Sequence, residues 1–212
     1  MSQKLVAVVD YGMGNLRSVS KAAEHAADAN TKIIVTSHPD EIEAADAIIF
    51  PGQGAAKACM QALLDTGMIH PIQKAAKEKP FLGICMGLQV LMSHSDENDG
   101  VECLDVIKGN VKHFDLESNP ELKVPHMGWN QIHQTNEHPL WHNIPQDSRF
   151  YFVHSYYVQP ENTGYIAGQT THGETFASAL STKNLFAIQA HPEKSAEHGI
   201  QLFKNFLQWN GQ

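Results

Sequence analysis

Cys85 stands within Gly83-Ile84-Cys85-Met86-Gly87, between an apolar run and a helical pattern. Residues 80–84 read as a short buried strand, and residues 88–92 open a helix. A thiol at the tip of such a junction has the layout of a nucleophile elbow. The two glycines permit the dihedrals and close backbone approach that a sharp turn requires. A helix N-terminus beneath the sulfur adds free N–H groups and positive partial charge, which favour thiolate over thiol. The chemistry implied is attack on an electrophilic carbon.

Such a nucleophile needs a base. Residues 185–189 are strand-like and lead into Ala190-His191-Pro192-Glu193. Pro192 biases His191 toward extended backbone, and alternation along an extended segment places His191 and Glu193 on one face. His191 would then take the Cys85 proton while Glu193 fixes the imidazole tautomer and orientation. Alone, a cysteine after a strand is a small buried hydrophobe and His-Pro-Glu is a turn; the signal lies in their combination. A third segment follows the apolar run 47–50, namely Pro51-Gly52-Gln53-Gly54. A backbone N–H from Gly52 or Gln53, beside that of Met86, would make a two-donor oxyanion hole. Losing one such donor costs about 100- to 1,000-fold in rate.

Elements must bring these segments together. In the first half, strand-like runs at 4–10, 32–36, 47–50 and 81–84 alternate with helical patterns at 15–27, 56–64, 69–78 and 88–94. That alternation predicts a three-layer α/β fold, a mainly parallel central sheet with helices on both faces. The second half is richer in short strands, at 106–114, 130–133, 150–158, 165–169, 175–180 and 185–189. These are expected to add antiparallel strands to the same sheet or to form a flanking one. A closing amphipathic helix over 196–209 sets Ile200, Phe203, Phe206 and Leu207 on one stripe. With no repeat or linker, residues 1–212 read as a single domain.

The 23 acidic residues outnumber 15 basic ones, giving a net charge of −8 without a basic run. Nucleic acid is therefore not an expected partner. The apolar stretches are strand-sized, far short of the ~20 residues that span a bilayer, and the N-terminal residues carry no signal-peptide pattern. Three cysteines, Cys59, Cys85 and Cys103, form an odd and sparse set that suits a reducing cytoplasm. Cys59 falls in a helical pattern and Cys103 in a loop, and both read as structural. Gly12-Met13-Gly14 resembles a dinucleotide fingerprint, but Arg17 occupies the place of its third glycine. His138 and His142 are four apart with Pro139 between them and no third ligand to name, so neither a metal nor a cofactor is expected. Trp129 by itself reads as a buried aromatic.

Together, Pro51-Gly52-Gln53-Gly54, Gly83-Ile84-Cys85-Met86-Gly87-Leu88-Gln89 and His191-Pro192-Glu193 resemble the class I, or triad, glutamine amidotransferases over nearly the whole chain. The resemblance implies a glutaminase working through a Cys85 thioester. Gln89 and the backbone of Ser155 and Tyr156 would hold glutamine, with Glu97 partnering its amino group. Asp10 through Val19, Pro125 through Asn130 and Tyr151 through Tyr156 are similar to one branch of that family. Its members supply ammonia to a separate (β/α)₈ cyclase subunit in histidine biosynthesis, as a heterodimer. Asn15, Met127, Trp129, Asn130, Tyr151 and Lys194 match segments that face that partner. Gln53 departs from the family, which usually has a small apolar residue there, at a peptide that reorients to complete the oxyanion hole. Glutaminases of pyridoxal phosphate, anthranilate or aminodeoxychorismate synthesis would keep Cys85, His191 and Glu193. They would lack the segments around Asn15 and Trp129. A cysteine hydrolase or a catalytically silent module of the same fold are further alternatives.

Overall fold

Strand β1 (Lys4–Val9) sends alternate side chains into two different cores. Val6 and Val8 join one hydrophobic cluster, Ala7 and Val9 another, and all four are fully buried. A strand buried on both faces needs cover on both sides, which crossover helices supply in a parallel sheet. The computed structural model describes residues 3–117 and 120–212.

After β1 come α1 (Leu16–Ala26), β2 (Thr31–Thr36), α2 (Pro39–Ala44), β3 (Ala47–Gly52), α3 (Ala56–Asp65), α4 (Ile69–Glu78), β4 (Phe81–Cys85) and α5 (Met86–Gln89). The four strands lie in the order β2-β1-β3-β4, all parallel. The second half contributes β5 (His94–Ser95), β6 (Val101–Glu102), β7 (Gly109–His113), β8 (His126–Gln131), β9 (His133–Gln134), β10 (Arg149–His154), β11 (Tyr156–Pro160), β12 (Ile166–His172), β13 (Glu174–Ser181), β14 (Leu185–Ile188) and α6 (Ala196–Gln208). Val19 and Ala23 of α1 pack with Leu202, Phe203 and Phe206 of α6 in one cluster. Ile42 of α2, Cys59 and Leu63 of α3 and Ile72 of α4 pack in the other. The fold is α/β with helices on both faces, as expected.

The decisive connection is β14. It inserts beside β4 as a parallel neighbour, with Leu185 opposite Phe81 and Ile188 opposite Ile84. Both strands therefore end on the same edge, one at Cys85 and the other just before His191. Beyond β14 the sheet turns antiparallel through β13, β11 and β7, and twelve strands join it among the described residues. β8 and β10 pair only with each other, as a separate two-stranded sheet. Added strands and a flanking sheet thus both occur.

Two sequence expectations need correction. The run 88–94 is not one helix: α5 ends at Gln89, and His94 already pairs in the sheet. The carbonyls of Val90, Leu91, Met92 and Ser93 accept from the N–H groups of Leu104, Val106, Asp105 and Cys103. A crossing segment thus takes the acceptors that a longer helix would have used. The run 150–158 is two strands, broken at Ser155 and shared between the two sheets. The short helix α2, opened by Pro39, went unanticipated.

Candidate active site

Cys85 terminates β4 with φ 55° and ψ −111°, and α5 begins at the next residue. Positive φ is costly for a residue with a Cβ, about 1–3 kcal/mol, and persists only where the surroundings enforce it. The enforcement here is steric. A Cβ on Gly87 would fall 2.0 Å from the Phe50 carbonyl oxygen, and one on Gly83 would lie 3.0 Å from Ala187 Cβ. The elbow is thus pressed against β3 and β14 by two glycines whose missing side chains make room for it.

His191 keeps extended dihedrals, φ −103° and ψ 92°, and its backbone N–H donates to the Tyr151 carbonyl at 2.8 Å. Its Nδ1 lies 2.9 Å from Glu193 Oε1, and the two side chains are 5% and 1% exposed. The pairing is as expected but its route is different. Pro192–Lys194 form a 3₁₀ turn, so Glu193 curls back to the ring rather than alternating along a strand. His191 Nε2 and Glu193 Oε2 are buried without a hydrogen-bond partner. Burial alone disfavours the imidazolium, but the neighbouring Cys85 sulfur and the Glu193 carboxylate outweigh it and lift His191 to about 10. Burial pushes the Cys59 thiol up to about 11 and the Cys103 thiol up to about 12.

Gln53, Cys85, Met86, Gln89, Glu97, Ser155, Tyr156 and His191 line one cleft of about 310 Å³. Its size suits a small molecule. Gly52 lies behind it, paired with Cys85 in the β3–β4 ladder, where an added Cβ would meet Tyr11 Oη at 2.6 Å and Met86 Cβ at 2.9 Å. The N–H of Met86 is the first of α5, and such initial N–H groups have no partner within their helix. Glu97 Oε2 accepts from the Ala56 N–H at 2.7 Å, capping the N-terminus of α3.

Sequence reasoning missed Gln189. Fully buried at the end of β14, it donates from Nε2 toward Cys85 Sγ at 3.6 Å and accepts from Gln89 Nε2 at 3.0 Å. Gln89 Nε2 also donates to the Tyr156 carbonyl at 3.0 Å. This leaves Gln89 Oε1 buried and unpartnered. His154, also missed, lines the cleft. A polar residue two positions before the His-Pro-Glu segment was the available signal for Gln189, and for His154 the signal was its place in the 151–156 segment that carries the resemblance.

The residues matched to a partner-facing surface gather mostly on the separate two-stranded sheet. Met127 and Trp129 are 62% and 45% exposed, so Trp129 is not the buried aromatic its type suggests. Tyr151 packs edge-on to Trp129, ring centroids 6.2 Å apart, and Lys194 Nζ lies 5.8 Å from the Tyr151 centroid. Asn130 donates to the Thr171 carbonyl at 2.9 Å. Asn15 is elsewhere, at the N-terminus of α1, with its carbonyl accepting from Val19. Among the described residues, no group of three His, Cys, Asp or Glu is placed to hold a metal ion, and no helix is long and apolar enough to cross a membrane.

Residues 7–209 match the family described as "Glutamine amidotransferase class-I". The "Imidazole glycerol phosphate synthase subunit HisH" of Hydrogenovibrio crunogenus is 70% identical over 210 residues, 99% of each chain. The protein of the same name from Nitrosococcus oceani is 54% identical over 206 residues, 97% of this chain and 98% of its own. Among solved structures, one titled "Crystal structure of glutamine amidotransferase" superposes with a TM-score of 0.71 at 16% identity, covering 96% of this chain and 97% of that one. At that identity the likeness concerns the fold. The chain belongs to the class-I glutamine amidotransferase family.

Proposed function

We propose that this chain is the glutaminase subunit of an imidazole glycerol phosphate synthase, hydrolysing L-glutamine and passing the ammonia to a cyclase subunit in histidine biosynthesis. The observation that carries this reading is the cleft in which Cys85, His191 and Gln89 meet at the ends of adjacent parallel strands. It occurs in a chain 70% identical over nearly its full length to a protein of that name.

In the proposed reaction His191 holds the Cys85 proton, and the sulfur attacks the side-chain amide carbon of glutamine. The oxyanion is received by N–H groups of Gly52 or Gln53 and of Met86. His191 then gives its proton to the departing nitrogen, so ammonia leaves and a thioester remains. Water, deprotonated by His191, cleaves the thioester to release glutamate and regenerate the thiol. Glu193 keeps the imidazole in one tautomer throughout. Gln89 and the backbone of Ser155 and Tyr156 hold the substrate, and the Glu97 carboxylate faces its α-ammonium group.

Ammonia set free in water would be protonated and lost, so the acceptor enzyme must close over the cleft. The exposed Met127 and Trp129, with Asn130, Tyr151, Lys194 and Asn15, supply a surface for a (β/α)₈ cyclase in a heterodimer. The same reading takes residues 1–212 as a single amidotransferase domain working in the cytoplasm without a cofactor.

The test is glutamate release by the purified chain, alone and with an imidazole glycerol phosphate synthase cyclase plus its nucleotide substrate. Strong stimulation by the pair, abolished in Cys85→Ala, is the expected result. Robust activity that ignores the cyclase would overturn the assignment to histidine biosynthesis, and silence in both conditions would overturn the glutaminase.

A further inference from the structure

Two buried histidines with no part in the proposed reaction form a directed chain that ends on the cleft. His126 on β8 and His154 on β10 face each other across the two-stranded ladder and are 4% and 6% exposed. His126 Nδ1 is 2.9 Å from His154 Nε2, and His154 Nδ1 is 2.8 Å from the Tyr156 carbonyl oxygen. At the other end, Asn130 Nδ2 is 3.1 Å from His126 Nε2. Burial holds His126 at about 4 and His154 at about 3, so each ring carries a single N–H at neutral pH.

One arrangement of hydrogens satisfies all of these contacts. A carbonyl only accepts, so the His154 hydrogen is on Nδ1 and its Nε2 is bare. His126 must then donate from Nδ1, and its own bare Nε2 accepts from the Asn130 amide. Every ring nitrogen has a partner and no polarity is left open. Packing fixes the planes: the His126 ring lies between His172 at 4.2 Å and Phe152 at 4.8 Å. Aromatic side chains would fill this space without the desolvation cost of two imidazoles, so filling space does not explain the pair.

The chain continues beyond Tyr156. Its carbonyl also accepts from Gln89 Nε2, which donates in turn to Gln189 Oε1, whose Nε2 lies beside Cys85 Sγ. We infer that His126 and His154 are positioning residues for glutamine: their directed hydrogen bonds set the Tyr156 carbonyl and, through it, the Gln89 amide that walls the cleft. This rests on the glutaminase reading above.

The test is the steady-state kinetics of glutamate release by the full chain saturated with its cyclase, for wild type, His154→Leu, His154→Asn and His126→Leu. Iodoacetamide alkylation of Cys85 and thermal unfolding are measured alongside. Leucine at 154 removes the donor to Tyr156 and is expected to raise KM for glutamine roughly tenfold, the scale of one lost buried hydrogen bond. Asparagine places an N–H near the former Nδ1 and is expected to bring KM back close to wild type. His126→Leu, one bond further from the cleft, is expected to raise KM by a smaller factor while Cys85 alkylates at the wild-type rate. A purely structural role would lower the melting temperature of all three variants without moving KM. Unchanged KM in both leucine variants, or equal KM for His154→Leu and His154→Asn, would overturn the inference. If His154→Leu does not fold, His126→Leu and His154→Asn decide it by the same measurement. Wild type that neither releases glutamate nor shows glutamine-protected alkylation would instead sink the glutaminase reading.

Discussion

The backbone of Tyr151 and that of His191 are locked together through one hydroxyl. His191 N–H donates to the Tyr151 carbonyl at 2.8 Å, Tyr151 N–H donates to Ser195 Oγ at 3.0 Å, and Ser195 Oγ donates to the His191 carbonyl at 2.6 Å. Ser195 is fully buried, so no water replaces it. Ser195→Ala is expected to lose about 2 kcal/mol of stability, since two backbone groups lose their partner. It should lower kcat more than KM, because the ring it anchors is the proposed base. Urea unfolding and steady-state kinetics check the two effects.

Cys85→Ala is expected to remove glutaminase activity, by about 10⁶-fold if the nucleophile behaves as in serine triads. Cys85→Gly should be as inactive yet more stable than Cys85→Ala, by about 1–2 kcal/mol. Glycine occupies φ 55° and ψ −111° without a Cβ penalty, whereas alanine keeps it. Paired denaturation curves decide it, and equal stabilities would mean that the elbow stores no strain.

Glu97→Gln separates two roles of one carboxylate. The glutamine amide oxygen can still accept from the Ala56 N–H, so α3 keeps its cap. The negative charge proposed to face the substrate ammonium is lost. KM is expected to rise about 10- to 100-fold, the scale of a charge-assisted hydrogen bond, with unfolding nearly unchanged.

Stability should fall away on both sides of neutrality, for opposite reasons. Burial depresses His126 and His138 to about 4 and His154 to about 3. Between pH 6.5 and those values the unfolded chain binds protons that the native chain refuses. Their contribution is therefore complete above pH 6.5 and lost on acidification, at up to about 1.4 kcal/mol per pH unit per histidine. His191 runs the other way: raised to about 10, its contribution is complete below pH 6.5 and lost as pH rises through 10. Denaturation across this range should show both limbs, and His191→Gln should flatten only the alkaline one.

Gln53 is exposed at the rim of the cleft, in the turn proposed to supply an oxyanion donor. Gln53→Val is expected to change turnover by the isolated chain more than by the saturated complex, because the partner would impose one orientation on that peptide. Glutamate release in both states measures it, and equal effects would count against a role for the side chain.

Cys85, His191 and Glu193 were legible because each sits beside a local signal, a glycine pair or a proline, that fixes backbone shape over a few residues. The parallel half of the sheet was legible for a similar reason, in unbroken apolar runs spaced by helical patterns. What stayed hidden depends on pairing between distant segments. Gln189 gains its place only when β14 lies beside β4, and His154 becomes a cleft residue only because the 150–158 run breaks at Ser155. The residues after Gln89 carry a helical apolar pattern, yet carbonyls bonded to residues 103–106 override it. Exposure of Trp129 ran against its residue type, which argues for burial, and only the resemblance pointed to the surface.

The two-stranded sheet of β8 and β10 shares no ladder with the sheet whose strand β4 ends at Cys85. Under the proposed function, exchanging its outward side chains would change the acceptor enzyme while leaving Cys85, His191 and Glu193 in place. His154, Asn130 and the Tyr151 backbone, bonded to Tyr156, Thr171 and His191, are the points at which such a graft must match its host.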